Sequence, residues 1–223
     1  MSMKNIVLKS KNLIITPMTD GELETRIENT AEAELKAAYG EMLDGCKNAP
    51  ADRLWYTAWK IALKTAPDTA IGDICFKGPQ NMGRVEVGYG IDSGYEGKGY
   101  MTEALKKLVE WATVQEDVYI VCAETAPDNI ASQKVLEKCG FKPCTGDEEV
   151  GEEGPRFRYD KPKPAWIPIY MCFGVSIGCS WGMVFNSLST WLTMGICLGL
   201  CVGALLDSRE KKHRAQVTGE KQA

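Results

Sequence analysis

The sequence predicts an α/β (α+β) head built on one central sheet, followed by a two-helix transmembrane hairpin and a short basic tail. Three observations carry this. Short apolar strands alternate with amphipathic helices along residues 10–160. From Pro164 through Leu206, 43 consecutive residues contain no Asp, Glu, Lys, Arg or His. Charge is partitioned around that block: residues 1–163 carry 21 basic and 27 acidic side chains, and residues 207–223 carry 5 and 3. The expected boundaries are therefore 1–163 for the head, 164–206 for the hairpin and 207–223 for the tail.

Within the head, Leu13–Pro17 reads as a strand, and a polar, Ala- and Glu-rich stretch from Asp20 to about Leu43 reads as helix. Trp59–Leu63 and Ala70–Phe76 read as strands flanking a turn at Pro67-Asp68, with a second turn at Gly78–Asn81. Arg84–Ile91 (RVEVGYGI) alternates with period two, putting Val85, Val87 and Tyr89 on one face and Glu86, Gly88 and Gly90 on the other. A glycine-rich turn, Ser93–Tyr100, leads into Met101–Thr113, whose Met101, Leu105, Leu108, Val109 and Ala112 follow helical spacing. Asp117–Ala123 reads as a strand, Ala126–Asn129 as a turn and cap, Ile130–Cys139 as a helix and Gly140 as its stop. Two polar strands around Gly151 and Gly154 finish the head.

The composition, 44% hydrophobic with net charge −4, excludes dominant disorder, a disulfide-knot scaffold and a basic nucleic-acid binder. The one histidine, His213, lies in the charged tail, which removes histidine triads and His-rich metal sites; no metal is expected. Nine cysteines contain no C-x-x-C pair and read as free thiols of a cytoplasm-facing domain.

The sharpest local signal is strand Arg84–Ile91, loop Gly94–Tyr100 and the helix after it. Glycines at 97 and 99 let backbone N–H groups converge on one anion, and the helix start adds its positive dipole end. The alternatives at this level are a phosphate or pyrophosphate site and a plain tight turn. The loop fails the Walker pattern because Tyr100 follows Gly99, and Gly88-Tyr89-Gly90 fails the dinucleotide fingerprint because Asp92-Ser93 follows.

The run from Glu86 to Leu105, EVGYGIDSGYEGKGYMTEAL, resembles the acetyl-coenzyme A motif of the GNAT N-acetyltransferase superfamily, in its RimJ/RimL-like branch. A second block, Ala126–Ser132 with Val135–Phe141, is similar to that branch's N-x-x-S-x-x-[VL]-L-x-K-x-G-F pattern. The resemblance covers about residues 10–160. It implies a mixed sheet splayed like a V, flanked by helices, with the pantetheine arm of acetyl-CoA pairing to the strand Arg84–Ile91 as an extra β-like partner, at Val87 and Ile91 among its residues. It also implies pyrophosphate contacts at Gly97, Lys98, Gly99, Tyr100 and Met101, a hydroxyl from Thr102, and a contact from Asn129 to the coenzyme arm. Gly94 stands where the superfamily usually has Arg or Gln, which removes one side-chain contact from a loop that binds mainly through its backbone.

Acetyl transfer to a primary amine by direct attack needs a base, a polarised carbonyl and a proton for the thiolate. Glu86 is either that base or a solvated strand glutamate, and backbone N–H groups near Val87 are placed to polarise the carbonyl. The resemblance implies an acidic tyrosine seven positions after the asparagine, but Leu136 occupies it. Ser132 is the substitute, its alternative role being a helix N-terminal hydroxyl. Trp55, Tyr56 and Trp59 wall an acceptor pocket or pack the core. The expected acceptor is a small-molecule or peptide amine. A second reading is a catalytically idle acetyl-CoA-binding module regulating a membrane assembly.

For the apolar block, Trp166–Phe185 and Thr190–Leu206 are each long enough to cross a hydrocarbon core of about 30 Å, with Asn186–Ser189 between them. A buried hairpin of a soluble domain is the alternative. Lys161 and Lys163 precede the first span and Arg209, Lys211, Lys212 and Arg214 follow the second. The positive-inside rule then puts both ends in the cytoplasm, making this a multi-pass protein of the cell membrane. No signal peptide is expected, since Met1–Asn12 has no adequate apolar run. Gly174, Gly178 and Gly182, and Gly195, Gly199 and Gly203, recur every four residues, predicting two ridges that pack together or against another copy.

Overall fold

In the computed structural model, residues 6–144 and 154–219 are described. The chain divides into two compact units, residues 1–161 and 162–223.

Among the described residues, eight strands form the sheet of the first unit: β1 (Leu8–Lys9), β2 (Leu13–Pro17), β3 (Ala58–Leu63), β4 (Ala66–Phe76), β5 (Arg84–Ile91), β6 (Ile120–Glu124), β7 (Lys142–Pro143) and β8 (Arg156–Asp160). Their order is β1-β2-β3-β4-β5-β6-β8-β7. Every pairing is antiparallel except β5 with β6, which is parallel. A parallel neighbour needs a crossover, and α4 (Tyr100–Val114) supplies it. Its buried face, Met101, Ala104, Leu105, Leu108, Val109 and Ala112, contains all five positions read from the spacing.

The helical stretch after β2 is two helices, α1 (Asp20–Asn29) and α2 (Ala33–Asn48), where the sequence suggested one. The physical reason is Thr30, which leaves helical geometry at ψ 123° while its hydroxyl donates to Arg26 C=O at 2.7 Å. A capping box starts α1: Thr19 Oγ1 accepts from Glu22 N–H at 3.3 Å, and Glu22 Oε2 accepts from Thr19 N–H at 2.9 Å. A short α3 (Arg53–Tyr56) follows, without a periodic signature in the sequence.

The turn expected at Pro67-Asp68 falls instead at Lys64-Thr65. Register shifts pair Ala62 with Ala70 and Leu63 with Ala66, so Pro67 sits in an irregular stretch of β4 where no ladder N–H is demanded of it. Similarly, β6 starts at Ile120 because Asp117 takes φ +57° in the turn before it. Helix α5 (Ile130–Lys138) ends near Gly140 at φ +87°, as the glycine predicted. Gly151 lies outside the described residues.

The main core lies between the sheet and α4 and includes Trp59, Ile61, Ile74, Leu105, Leu108 and Leu136, all fully buried. Trp111 from α4 stacks obliquely between Trp55 and Trp59, at ring distances of 4.9 and 5.0 Å. A second cluster, with Leu23, Tyr39, Leu43 and Cys46, holds α1 and α2 on the sheet beside Ala58.

The second unit consists of α6 (Trp166–Val184) and α7 (Leu188–Thr218). Asn186 turns the chain at φ +51°, so the connection is shorter than expected. The basic segment does not form a separate tail but continues α7, whose 31 residues reach roughly 46 Å at about 1.5 Å each. The two glycine ridges face each other. A Cβ on Gly174 would lie 2.1 Å from Gly195 O, and one on Gly199 would lie 2.4 Å from Tyr170 O. The ridges are thus taken up within the hairpin, while Phe173, Ile177, Met194 and Leu198 point outward and exposed.

Gly195→Leu should weaken the helix pair by about 1–3 kcal/mol, because the clash is with backbone and cannot be relieved by a side-chain rotation. Thermal unfolding of the hairpin signal in detergent, followed by far-UV circular dichroism, measures this. An unchanged transition would contradict the packing described.

Candidate active site

The site begins where two strands part. Strands β5 and β6 pair at Arg84 with Ile120, Val85 with Val121 and Glu86 with Cys122, and no further. On its other side, β5 remains paired with β4 as far as Ile91. Lys77 N–H donates to Glu86 C=O and Asp92 N–H to Ile71 C=O, each at 2.9 Å. Strand alternation therefore turns the backbone groups of Val87, Tyr89 and Ile91 toward the gap left by β6. This is the V-shaped opening implied by the resemblance, and it presents strand edge to whatever fills it.

At the end of β5, Tyr95 N–H bonds Asp92 C=O at 2.8 Å and the chain turns through Gly97 at φ +71° and Gly99 at φ +79°. Both are left-handed conformations that strain any residue with a Cβ. The first intrahelical bond of α4 runs from Glu103 N–H to Gly99 C=O at 3.0 Å, which leaves the N–H groups of Gly99, Tyr100, Met101 and Thr102 for an acceptor outside the helix. The Met101 side chain is buried in the core, so only its backbone faces the loop. Lys98 folds back, its Nζ donating to Gly94 C=O at 2.7 Å and lying 5.2 Å from the Tyr95 ring centre.

Opposite, Asn129 caps α5: its side chain accepts from Ser132 N–H at 3.0 Å. The Ser132 hydroxyl is not simply a free helix-start group. Its Oγ lies 2.7 Å from the Tyr89 hydroxyl, which also reaches Ser132 C=O at 3.3 Å. Burial pushes the Tyr89 phenol up to about 12, against a smaller opposing effect of the Ser132 hydrogen bond. Leu136 is fully buried in the core and carries no chemistry.

Glu86 sits at the last paired position of the opening and forms an ion pair with Lys77 at 2.6 Å. By strand alternation it faces the side of β5 opposite to Tyr89. Glu86 and Ser132 therefore approach the gap from its two faces and do not share one.

On the Glu86 side lies a cavity of about 780 Å³, lined among others by Arg26, Tyr39, Tyr56, Asp73, Gly88 and Gly90. Asp73 Oδ2 accepts from Tyr39 at 2.6 Å and pairs with Arg26 at 3.3 Å. Burial raises the Asp73 carboxyl above its ordinary range, while those two partners oppose the shift. Burial likewise raises Tyr39. Of the three aromatics considered for the acceptor wall, Tyr56 lines the cavity, whereas Trp55 and Trp59 pack the core. Sequence reasoning missed Asp73 and Tyr89. A lone carboxylate within the apolar run Ala70–Phe76 was a usable signal for the first; Tyr89 looked like one more member of an apolar face.

A family model described as "Acetyltransferase (GNAT) domain" matches residues 12–142, and the chain belongs to that family. Residues 165–209 match a second, described as "Glycine zipper membrane protein". The N-acetyltransferase YjdG of Bacillus subtilis (strain 168) is 35% identical over 86 residues, 39% of this chain and 51% of YjdG. The chain thus spans about half the length of that curated relative. An acetyltransferase from Agrobacterium tumefaciens superposes with TM-score 0.54 at 19% identity, over 71% of this chain and 96% of that one. RimL, a ribosomal L7/L12 alpha-N-protein acetyltransferase solved with coenzyme A, gives TM-score 0.52 at 12% identity, over 70% of this chain and 98% of its own. At such identities these structures establish the fold.

Among the cysteines that burial raises from the ordinary 9.0, Cys75 reaches about 12 and Cys122 and Cys139 reach about 11. A thiol raised in the native state favours folding below the unfolded value and loses that advantage as pH climbs above about 9. Iodoacetamide at pH 8.5, read by mass spectrometry, should label these three slowly in native protein and rapidly after denaturation. Rapid native labelling of Cys75 would contradict its placement.

Proposed function

We propose that the protein is an acetyl-CoA-dependent N-acetyltransferase that acts on a primary amine by direct attack and is tethered to a membrane by its C-terminal hairpin. The observation that carries this reading is the strand edge Val87–Ile91 leading into the left-handed glycines of the Gly97–Thr102 loop. Pantetheine amides complete the interrupted ladder along Val87 and Ile91, and the pyrophosphate takes the N–H groups of Gly97, Lys98, Gly99, Tyr100 and Met101. Thr102 adds a hydroxyl. Asn129, whose side-chain oxygen is committed to its cap, has only its amide N–H groups left for the coenzyme arm.

The acceptor enters through the 780 Å³ cavity, where Asp73, Glu32 and Glu41 favour a cationic amine. Glu86 takes a proton from the amine, directly or through water. The neutral amine attacks the thioester carbon, the oxyanion is held by backbone N–H groups near Val87, and the C–S bond breaks as Ser132 protonates the sulfur.

The membrane reading rests on inverted burial. In α6 and α7 the glycines are inside and the large apolar side chains outside, the reverse of a soluble hairpin. The two helices have mean hydropathies of 1.5 and 1.8 over their most apolar windows. Lysines and arginines flanking both ends favour cytoplasmic termini. Full-length protein should stay in the membrane pellet at alkaline pH in carbonate; recovery in the supernatant would contradict the tether.

The test of activity uses full-length protein in detergent with acetyl-CoA and a panel of peptide N-termini, lysine peptides, polyamines and aminoglycosides. Acetyl-CoA at a hundred times Kd should stabilise by about 2.7 kcal/mol, and at least one amine should release free coenzyme A. Gly99→Val, at φ +79°, should abolish most of the stabilisation. Binding without release for every amine would favour the idle-sensor reading; neither binding nor release would overturn both.

A further inference from the structure

Breaking the C–S bond leaves a thiolate that needs a proton, and a serine hydroxyl alone is a weak source of one. The structure offers a second hydroxyl. Tyr89 projects from β5 on the face opposite Glu86, at the stretch where β6 has parted. Its hydroxyl crosses to the first turn of α5 and meets Ser132 Oγ at 2.7 Å. The two hydroxyls thus connect the walls of the opening over 43 residues of sequence.

We propose that Tyr89 is a positioning residue for acetyl transfer, feeding a proton through the Ser132 hydroxyl to the departing sulfur. This rests on the acetyl-transfer reading above. A phenol has one proton. When Tyr89 gives it to Ser132 Oγ, the serine's own O–H is turned away from Tyr89 and into the gap. The longer contact to Ser132 C=O, 3.3 Å, is the weaker use of the same proton. As the tetrahedral intermediate collapses, the C–S electron pair moves to sulfur and the Ser132 proton bonds to it. The Tyr89 proton then replaces the one Ser132 lost. The phenolate recovers a proton from solvent water on its own side of the sheet, since Tyr89 is only partly buried. The amine released one proton on attack, so the turnover is balanced without any further reactant. A raised phenol stays protonated at neutral pH, which keeps the donor loaded between turnovers.

Tyr89→Phe keeps the ring and its packing and removes only the hydroxyl. In full-length protein in detergent, with an amine that the wild type acetylates, the variant should lower kcat by about 10- to 100-fold, at the low end of what positioned proton transfer contributes. KM for acetyl-CoA and for the amine should stay within about twofold, and the thermal midpoint should hold. Ser132→Ala should cost at least as much, and the double variant should be no slower than Ser132→Ala, because the two act in series. Wild-type kcat in Tyr89→Phe would overturn the relay. So would independent, multiplying losses, or a loss carried by a raised KM for acetyl-CoA, which is the mark of a structural latch across the opening. A wild type without turnover on any amine would overturn the acetyl-transfer reading and this inference with it, whereas an active wild type matched by Tyr89→Phe would overturn this inference alone.

Discussion

The head depends on the parting of two strands. As long as β5 and β6 pair, from Arg84 to Glu86, they form ordinary sheet with both backbones satisfied. Past that point β5 keeps only β4, and its other edge holds polar backbone with no strand partner on that side among the described residues. A half-paired strand inside a sheet is costly unless something supplies the missing bonds. That cost defines a slot one strand wide, shaped for an extended chain carrying amides. The loop Gly94–Gly99 lies at the end of the same strand and leads into α4, whose first N–H groups have no intrahelical partner.

In the proposed mechanism the two proton transfers are divided across that slot by the period of a strand. Odd-numbered residues of β5 face α4 and α5, and even-numbered ones face the cavity under α1 and α2. Hence the hydroxyl pair of Tyr89 and Ser132 lies on one side, with Glu86 and Asp73 on the other. An acyl transfer needs a proton removed on the acceptor side and another delivered on the thiolate side, so this separation suits the reaction. It also explains why Glu86 and Ser132, though both expected at the site, are not neighbours.

Much of this was legible in the sequence because local rules govern it. Period-two alternation fixed β5, period-3.6 spacing fixed the buried face of α4, and Gly97 and Gly99 marked backbone that only glycine adopts easily. The four-residue glycine repeats located the contact between α6 and α7. The misses are tertiary. Thr30 breaks a helix through a single side-chain bond, and Pro67 is absorbed by a register shift set by β3. The basic residues after Leu206 read as a tail, yet they extend α7, since Arg, Glu and Lys are good helix formers and nothing there stops the helix. Tyr89 and Asp73 gain their meaning only from what lies opposite them, Ser132 in one case and Tyr39 with Arg26 in the other.

In the proposed function, the opening beside β5 receives acetyl-CoA through backbone hydrogen bonds. Amide hydrogen exchange of the full-length protein in detergent, with and without acetyl-CoA, measures those bonds directly. New protection is expected at Val87, Tyr89 and Ile91 and across Gly97–Thr102. Protection confined to other segments, or none at saturating acetyl-CoA, would contradict it.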